Sequence, residues 1–536
     1  MIKAPTPYLV SPFSATQRSV LFGLAAFWLA TVFFFYNWWF DPAHVVTPAR
    51  FWTITFALFW ITILPAYFLF FILRARVPNP ELAIPDGWRV AMVVTKAPSE
   101  PFSLVKKTIE GMLRQRYPHD TWLADEDPDP ETVAWCSRHG VRISTRKNIA
   151  EYHQPDWPRR TRCKEGNLAY FYDKFGYDHY DFVIQMDADH IPQKGYLEEM
   201  LRPFVDPGVG YVSAPSICDM NAGESWAARA RLYAEAHMHG LQQNGHTNRF
   251  SPLCIGSHYA VRTKALKQIG GLGPELAEDH STTLLMNSAG WRGVHAIHAI
   301  ARGFGPQNFS DFAIQEFQWA RSLTTILLEY TPQYWHGLSW RQKFQFAFCQ
   351  LWYPLFPCSM FVFLLLPAFA LYTSTPWVTV IYLDFLWRAS LMVLPVLLFI
   401  SYLTRLKFAR PRSAKVISWE SILFLFIRWP WSLLGCIIAV WDHFKGRRAT
   451  FKITPKPGVP GTDPAIPLRF SLPYLAFSLF ALAPVFVMEL APGISGYIIF
   501  SLLNALIYAL VFSMIVFPAT ATDPDEDLDP LIEEKA

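Results

Sequence analysis

The chain has 536 residues and a net charge of +4; 52% of its residues are hydrophobic and only 17% are charged. This composition is too apolar for an ordinary soluble enzyme and indicates a membrane protein, and nothing in the charge suggests a nucleic-acid partner. The seven cysteines form no C-x-x-C pair and have no regular spacing, so we interpret them as reduced packing residues.

Two long apolar segments begin the chain. No residue between Arg18 and Asp41 is charged, and the same is true between Arg50 and Arg74. Each run is long enough for the roughly 20 residues that cross a bilayer. Because no small-residue cleavage site follows a short apolar core, we predict two retained transmembrane helices in residues 1–80 rather than a signal peptide.

Residues 86–330 have the composition of a polar, mixed α/β domain. Predicted strands alternate there with helical stretches, and the clearest strands are 88–95, 141–145, 181–189 and 209–215. This alternation predicts a mainly parallel sheet that binds ligands at the carboxyl ends of its strands.

Asp187 and Asp189 end one of these predicted strands. Two carboxylates at i and i+2, where a strand turns into a loop, can both reach one hard divalent cation, which fills its shell with phosphate oxygens and water. The alternative is an acidic turn or a helix cap. A second acidic cluster, LADEDPDPE at 123–131, ends another short predicted strand.

Two later motifs contain a candidate general base and a candidate aromatic residue for stacking on a sugar ring. In LAEDHST (276–282), Asp279 can act as a general base that Glu278 orients, although a plain helix N-terminus explains the same residues. In QEFQWARS (315–322), Trp319 beside hydrogen-bonding side chains suits a sugar ring, or else packs in a core.

Five apolar runs follow Glu329, at roughly 346–371, 377–403, 416–441, 470–488 and 495–517. Lysine and arginine concentrate at 405–415, at 444–448 and around Arg74, and such stretches stay on the cytoplasmic side. If 416–441 crossed the membrane, 444–448 would lie outside. This run also contains Glu420, Arg428 and Pro430, so we predict an interfacial or re-entrant helix.

Six spans result, in residues 1–80 and 331–517, and they place the polar middle and both termini in the cytoplasm. Residues 518–536 are acidic and are predicted to be a disordered tail.

Taken in order, these motifs resemble the family 2 glycosyltransferases of the cellulose synthase type, which include cellulose, curdlan and hyaluronan synthase-like proteins. The likeness covers roughly residues 88–490. The K-x-G-N motif corresponds to residues 164–167, C-G-S to the segment 254–262, and T-E-D to residues 277–279. FKITPK (451–456), within 446–468, resembles the gating loop of processive synthases.

The resemblance implies roles for individual residues. Asp279 would be the catalytic base, supported by Glu278. Asp125, with Asp127 as the alternative, would contact the nucleotide base. The implied donor contacts are Thr95, Glu100, Asp125, Lys164, Asp187, Gln315, Arg321, Thr454 and Lys456. The implied acceptor contacts are Trp319, Gly256 and Ser257, and the implied metal ligands are Asp187, Asp189 and His190.

Two positions depart from the family pattern. Ala277 replaces the Thr of T-E-D, which removes a supporting hydrogen bond. Gln318 replaces the Arg before Trp319 and removes a cation expected near the diphosphate, for which Arg321 is a partial substitute. The second change leaves the product, the acceptor and the degree of processivity open.

The implied protein combines a cytosolic α/β domain of the GT-A type with a helical transmembrane domain of about six spans plus interfacial helices. It would be an inverting hexosyltransferase of the bacterial inner membrane that uses Mg²⁺ or Mn²⁺. UDP-glucose is the expected donor by frequency in the family, and the product is a β-linked polysaccharide that the spans translocate. Besides the bilayer, accessory secretion subunits are conceivable partners. The alternatives are a non-processive enzyme with a lipid acceptor and a transporter with a cytosolic regulatory domain.

Overall fold

The computed structural model describes residues 7–161, 163–247, 249–447, 466–487 and 494–517. The polar middle forms a seven-stranded sheet with the spatial order β7-β5-β6-β4-β1-β2-β3. Its strands are β1 (Val90–Lys96), β2 (Asp120–Asp125), β3 (Arg142–Ser144), β4 (Phe182–Met186), β5 (Val209–Ser213), β6 (His258–Arg262) and β7 (Arg292–His295).

The sheet is parallel except at β6, which pairs antiparallel with both β4 and β5. All five residues of β4 are buried, as expected of a strand covered by helices on both faces. These findings confirm the mainly parallel α/β sheet. Strands β6 and β7 were not predicted from the sequence.

The helices that form the site and the apolar layer are, in chain order, α1 (Ala15–Trp39), α2 (Pro48–Leu73), α3 (Trp226–Glu235), α4 (Glu278–Ser288), α5 (Phe309–Thr325), α6 (Trp340–Tyr372), α7 (Tyr382–Arg405), α8 (Trp419–Lys445), α9 (Leu472–Val487) and α10 (Ser495–Val516). The α/β domain also contains the helices Phe102–Leu113, Pro130–Arg138, Lys164–Phe171, Tyr196–Leu201, Gln243–His246 and Thr263–Gln268.

Among the described residues, six helices are long and apolar enough to cross a membrane, by length and composition: α1, α2, α6, α7, α8 and α10. The chain is therefore a multi-pass membrane protein. This set differs from the predicted spans at two places, because it includes α8, and because the described part of α9 is a shorter apolar helix of 16 residues.

Helix α8 is joined to the α/β domain along its length. Ion pairs connect Glu420 with Arg229 (3.2 Å), Arg428 with Glu316 (3.1 Å) and Asp442 with Arg321 (2.5 Å), and a hydrogen bond pairs His443 with Glu329 (3.0 Å). Between the second and third of these pairs, Gly435 lies directly against the backbone of α5. The first and last pairs are 23 residues apart, which is about 35 Å of helix.

One apolar core joins the two parts of the chain. Phe309 and Phe312 of α5 pack against Tyr474 of α9 and Phe424 of α8, with ring centroids 5.7 and 5.9 Å apart. The sheet therefore has its own core on each face, while α3 and α5 belong to a core shared with the apolar helices.

Candidate active site

The D-x-D motif lies in the loop that directly follows β4. Asp187, Asp189 and His190 place their ligand atoms within 4.8 Å of one another. The backbone N–H of Asp187 donates to the carbonyl of Ser257 (2.8 Å), which directly precedes β6, so the antiparallel strand fixes this loop. Two carboxylates and an imidazole, with Asp187 36% exposed, fit a hard divalent cation that shares its shell with phosphate oxygens.

Lys164 connects this loop to the second acidic motif. Its Nζ donates to Asp187 Oδ1 (2.7 Å) and to the carbonyl of Gly256 (2.5 Å), and lies 3.7 Å from Glu278 Oε1. Burial by itself lowers the pKa of Lys164, but the Asp187 and Glu278 carboxylates outweigh burial and leave the pKa raised. The lysine thus stays charged between the predicted metal ligands and the predicted base.

Asp279 stands in the first turn of α4, where Ala277 is the N-cap and makes no side-chain capping bond. Its Oδ1 accepts the N–H of His280 (2.7 Å). A Cβ added to Gly256 would lie 3.2 Å from Asp279 Oδ2, so the glycine admits this carboxylate closely. Burial raises the pKa of Asp279, while hydrogen bonds from the N–H groups of His280 and Gly256 oppose the shift. A carboxyl with a raised pKa suits a general base.

Glu278 is buried beside this base. Burial raises its pKa, Lys164 opposes the rise, and the Asp279 and Asp187 carboxylates add to it. The structure therefore brings together four predicted residues, Lys164, Asp187, Glu278 and Asp279, which come from three separate segments of the sequence.

The residues predicted to contact the nucleotide lie at and after the carboxyl ends of β1 and β2. Asp125 is buried, and its Oδ1 accepts from Lys96 Nζ (3.2 Å) and from the N–H of Asp127 (2.9 Å). Asp127 instead pairs with Lys147 near the solvent (2.5 Å). Thr95 precedes Lys96 and is half-buried, while Glu100 Oε2 accepts the N–H of Ala97 (2.8 Å).

The predicted acceptor residues lie on α5 and before β6. Trp319 is 39% exposed, and the Ser257 hydroxyl donates to Ser216 Oγ (3.0 Å). Gln315 lies one turn before Trp319 on α5. Arg321, a predicted donor contact, pairs with Asp442 of α8. Thr454 and Lys456 of the predicted gating loop lie outside the described residues.

Sequence reasoning missed three features of the site. Lys96 forms a buried ion pair with Asp125, and its position as the lysine that closes an apolar strand is the signal for it. Cys218 lies 3.7 Å from His190 Nε2, and no spacing in the sequence indicates that contact. Glu316 is fully buried, which the charged letter in QEFQW does not suggest.

Two family models match the chain. The model described as "Glycosyltransferase like family 2" matches residues 86–322, and the one described as "Cellulose synthase" matches residues 235–410. Together they cover the sheet, every predicted site residue outside the gating loop, and the apolar helices α6 and α7.

Curated relatives point the same way. Cellulose synthase 1 of Komagataeibacter xylinus is 25% identical over 281 residues, which are 50% of this chain and 17% of that protein. The cellulose synthase catalytic subunit [UDP-forming] of Pseudomonas fluorescens (strain SBW25) is 25% identical over 271 residues, which are 49% of this chain and 35% of that protein. The matched region thus spans about a sixth to a third of these relatives.

Among solved structures, a mannosyltransferase from Pyrobaculum calidifontis in complex with GDP-Man and Mn²⁺ has a TM-score of 0.41 and 13% identity, covering 80% of this chain and 99% of that one. A glucosyl-3-phosphoglycerate synthase from Mycobacterium tuberculosis has a TM-score of 0.30 and 14% identity, covering 45% of this chain and 83% of that one.

Proposed function

We propose that the chain is a family 2 glycosyltransferase of the cellulose synthase type, a membrane-embedded hexosyltransferase that polymerises a UDP-sugar into a β-linked polysaccharide. The observation that supports this most is the position of Lys164, which bridges the D-x-D carboxylate and the Glu278–Asp279 pair. UDP-glucose is the proposed donor.

The reaction is a single displacement at the anomeric carbon. Asp279 takes the proton of the acceptor hydroxyl, whose oxygen forms the new glycosidic bond while the bond to the diphosphate breaks, so the configuration inverts. Lys164 and, by resemblance, Lys456 hold the negative diphosphate. Asp187, Asp189 and His190 would hold Mg²⁺ or Mn²⁺, which when bound offsets charge on the departing diphosphate.

We propose the domain arrangement that the sequence predicts, with the catalytic domain (86–330) in the cytoplasm of a bacterial inner membrane. The ion pairs of α8 and the hydrogen bond of His443 support this arrangement. They extend over about 35 Å of helix, more than the roughly 30 Å of a hydrocarbon core, and all end on the catalytic domain. A helix bound in this way lies at the interface and leaves the basic segment that follows it on the cytoplasmic side.

A non-processive enzyme with a lipid acceptor is the second candidate, because Gln318 replaces the arginine that the family carries before Trp319. The two candidates differ in their product: a polymer stays in the aqueous or insoluble fraction, whereas a glycolipid partitions into organic solvent.

The test uses the purified full-length chain in lipid, Mg²⁺ and radiolabelled UDP-glucose, with UDP-galactose and UDP-N-acetylglucosamine as parallel donors. We expect labelled polymer from UDP-glucose, and linkage analysis then identifies the bond. A labelled product that extracts wholly into organic solvent would favour the lipid acceptor, and no transfer from any donor would refute the proposed activity.

A further inference from the structure

A cluster of buried charges lies between α3, α5 and α8. Its centre is Glu316, which is fully buried. Glu316 Oε2 accepts from Arg428 Nε (3.1 Å) and Ser432 Oγ (3.2 Å), and its Oε1 lies 3.0 Å from Arg231 Nη2. The two oxygens therefore contact different helices: Oε2 accepts hydrogen bonds from α8, and Oε1 forms an ion pair with α3 that is not a hydrogen bond.

The Arg231 guanidinium is also placed by aromatic rings. Its central carbon lies 4.3 Å from the ring centroid of Trp319 and 4.8 Å from that of Phe312. The Arg231 side chain is only 7% exposed, so this cation–π contact is largely shielded from water, where such contacts are strongest. A planar guanidinium stacks on a ring in a way that the point charge of a lysine does not.

Trp319 is therefore in contact with Arg231 and is also partly exposed to solvent. Arg231 backs the ring, while 39% of the residue stays exposed. An exposed tryptophan on a surface helix has several rotamers open to it, and each must be given up when the ring stacks on a ligand. Support from behind removes part of that cost before the ligand arrives.

We propose that Glu316 and Arg231 are positioning residues for Trp319: the carboxylate holds the guanidinium, and the guanidinium holds the indole ring ready to stack on the acceptor sugar. The inference rests on the proposed function, since it takes the ligand of Trp319 to be the growing sugar chain. It adds that acceptor binding depends on residues that touch neither substrate.

The test compares Arg231→Lys and Arg231→Met with Arg428→Met in the full-length chain. Arg231→Lys keeps the charge beside Glu316 but loses the planar guanidinium next to the Trp319 ring. Arg428→Met is the matched control, because it removes an equally buried arginine from the same carboxylate without touching Trp319. The readouts are the KM for cellotetraose and laminaritetraose, kcat at saturating acceptor, UDP affinity, melting temperature and product length.

We expect Arg231→Lys and Arg231→Met to raise the acceptor KM about tenfold, as the loss of a shielded cation–π contact implies. UDP affinity and kcat should stay within twofold of wild type, and the products should be shorter. In a Trp319→Ala background, Arg231→Lys should add less than twofold, because the two residues act through one ring. Arg428→Met should leave the acceptor KM unchanged.

Arg231→Lys keeps the ion pair, so it remains informative if Arg231→Met fails to fold. An unchanged acceptor KM in a folded Arg231→Lys protein, or an equal rise in Arg428→Met, would overturn the inference while the wild type still polymerises sugar. A wild-type protein that transfers no hexose would overturn the proposed function first, and this inference with it.

Discussion

Lys164 lies among carboxylates that have different proposed tasks, and this arrangement decides what single substitutions should do. Its ammonium binds Asp187 directly, and Glu278 and Asp279 are near enough to raise its pKa. A change that removes one of these carboxylates therefore alters charge balance in the whole site. Replacing a carboxylate by its amide keeps the size and most hydrogen bonds, so amide variants separate chemistry from folding.

Asp187→Asn should reduce sugar transfer at least a hundredfold, because it removes a charged ligand from the predicted metal set while its amide oxygen can still accept from Lys164. Excess chelator should reduce the wild type equally, and Mg²⁺ or Mn²⁺ should restore it. Asp178→Asn, at an exposed surface pair, is the control. Full activity in chelator would contradict the assignment.

Asp279→Asn should lower the transfer rate about 10²–10⁴-fold, the usual effect of removing a general base. UDP affinity and melting temperature should stay near wild type, since Asp279 is not the N-cap of α4. A purely structural role predicts the reverse, lower stability with activity per folded molecule retained. Calorimetric UDP binding, thermal melting and product analysis on one preparation distinguish the two, and normal turnover would end the proposed mechanism.

His295 should make the protein less stable in acid. Burial lowers its pKa to about 3, whereas an unfolded histidine titrates near 6.5. Below about pH 6.5 only the unfolded chain takes up this proton, so the free energy of unfolding falls, by about 2 kcal/mol at pH 5. The stability is fully present above pH 6.5.

Thermal melting between pH 7.5 and 5 checks this expectation against His295→Gln, which keeps a donor and an acceptor for Ser213 and the His239 carbonyl. The variant should lose less stability on acidification than wild type. Equal losses would mean that His295 is not the responsible group.

At the scale of single residues, the sequence predicted those site residues that a local pattern identifies. Asp187 follows an apolar strand and Asp279 opens a helix, and the structure places both beside Lys164. Contacts such as Lys96 with Asp125 required knowing that β1 and β2 are in register, which only the folded sheet determines. The partner of Arg321 could not be predicted for the same reason, since Asp442 of α8 lies 121 residues away in the sequence.

At the scale of the elements, the packing of α8 against α5 depends on one close backbone contact, at Gly435. A Cβ on Gly435 would lie 2.5 Å from the carbonyl oxygen of Phe317 and 3.0 Å from the Cβ of Ala320. Glycine therefore lets α8 and α5 pack backbone to backbone. This contact lies between the ion pairs of Arg428 and Asp442, so moving it would strain both.

Gly435→Ala should destabilise the protein by about 1–3 kcal/mol, the usual cost of overpacking a tight contact. Gly23→Ala in α1 is the matched control, because a Cβ there meets nothing within 4 Å and should stabilise the helix by roughly 0.5–1 kcal/mol. Melting temperatures of the two variants measure the difference. A Gly435→Ala protein as stable as wild type would show that the helices separate at no cost.

The proposed interfacial position of α8 predicts a labelling pattern in intact cells. Cysteine replacing Lys445, the last residue of α8, should be protected from membrane-impermeant thiol reagents, and cysteine replacing Ser374 should react. Lys445 is preferred to Gly446, whose φ of +62° favours glycine. The wild type with its seven cysteines gives the baseline. External labelling at position 445 would make α8 a true span.

Elements with a continuous apolar pattern were predictable, and those defined by their neighbours were not. The prediction located β4 because it is FVIQM, whereas β6 reads HYAVR and begins and ends with polar residues. Its central place comes from pairing with β4 and β5 on either side. For α8, length and composition fit a span, whereas its charged residues and basic flanks predicted an interfacial helix, and that assignment stays a prediction.

Over the whole molecule, the predicted boundary near residue 330 separates sequence compositions but not cores. The sheet packs within its own domain, yet Phe309 and Phe312 of α5 are buried against α8 and α9. Residues 86–330 expressed alone would expose this face and should aggregate, although they contain the predicted metal ligands and base.

The shared core can be completed only late in the synthesis of the chain. Phe312 and Tyr474 belong to that core but are 162 positions apart in the chain. At about 5–20 residues per second, the ribosome needs roughly 8–30 s to extend from one to the other. Until α8 and then α9 have been made, the apolar side of α5 lacks part of its cover from its own chain, so the nascent protein should need the insertion machinery or chaperones to shield that side.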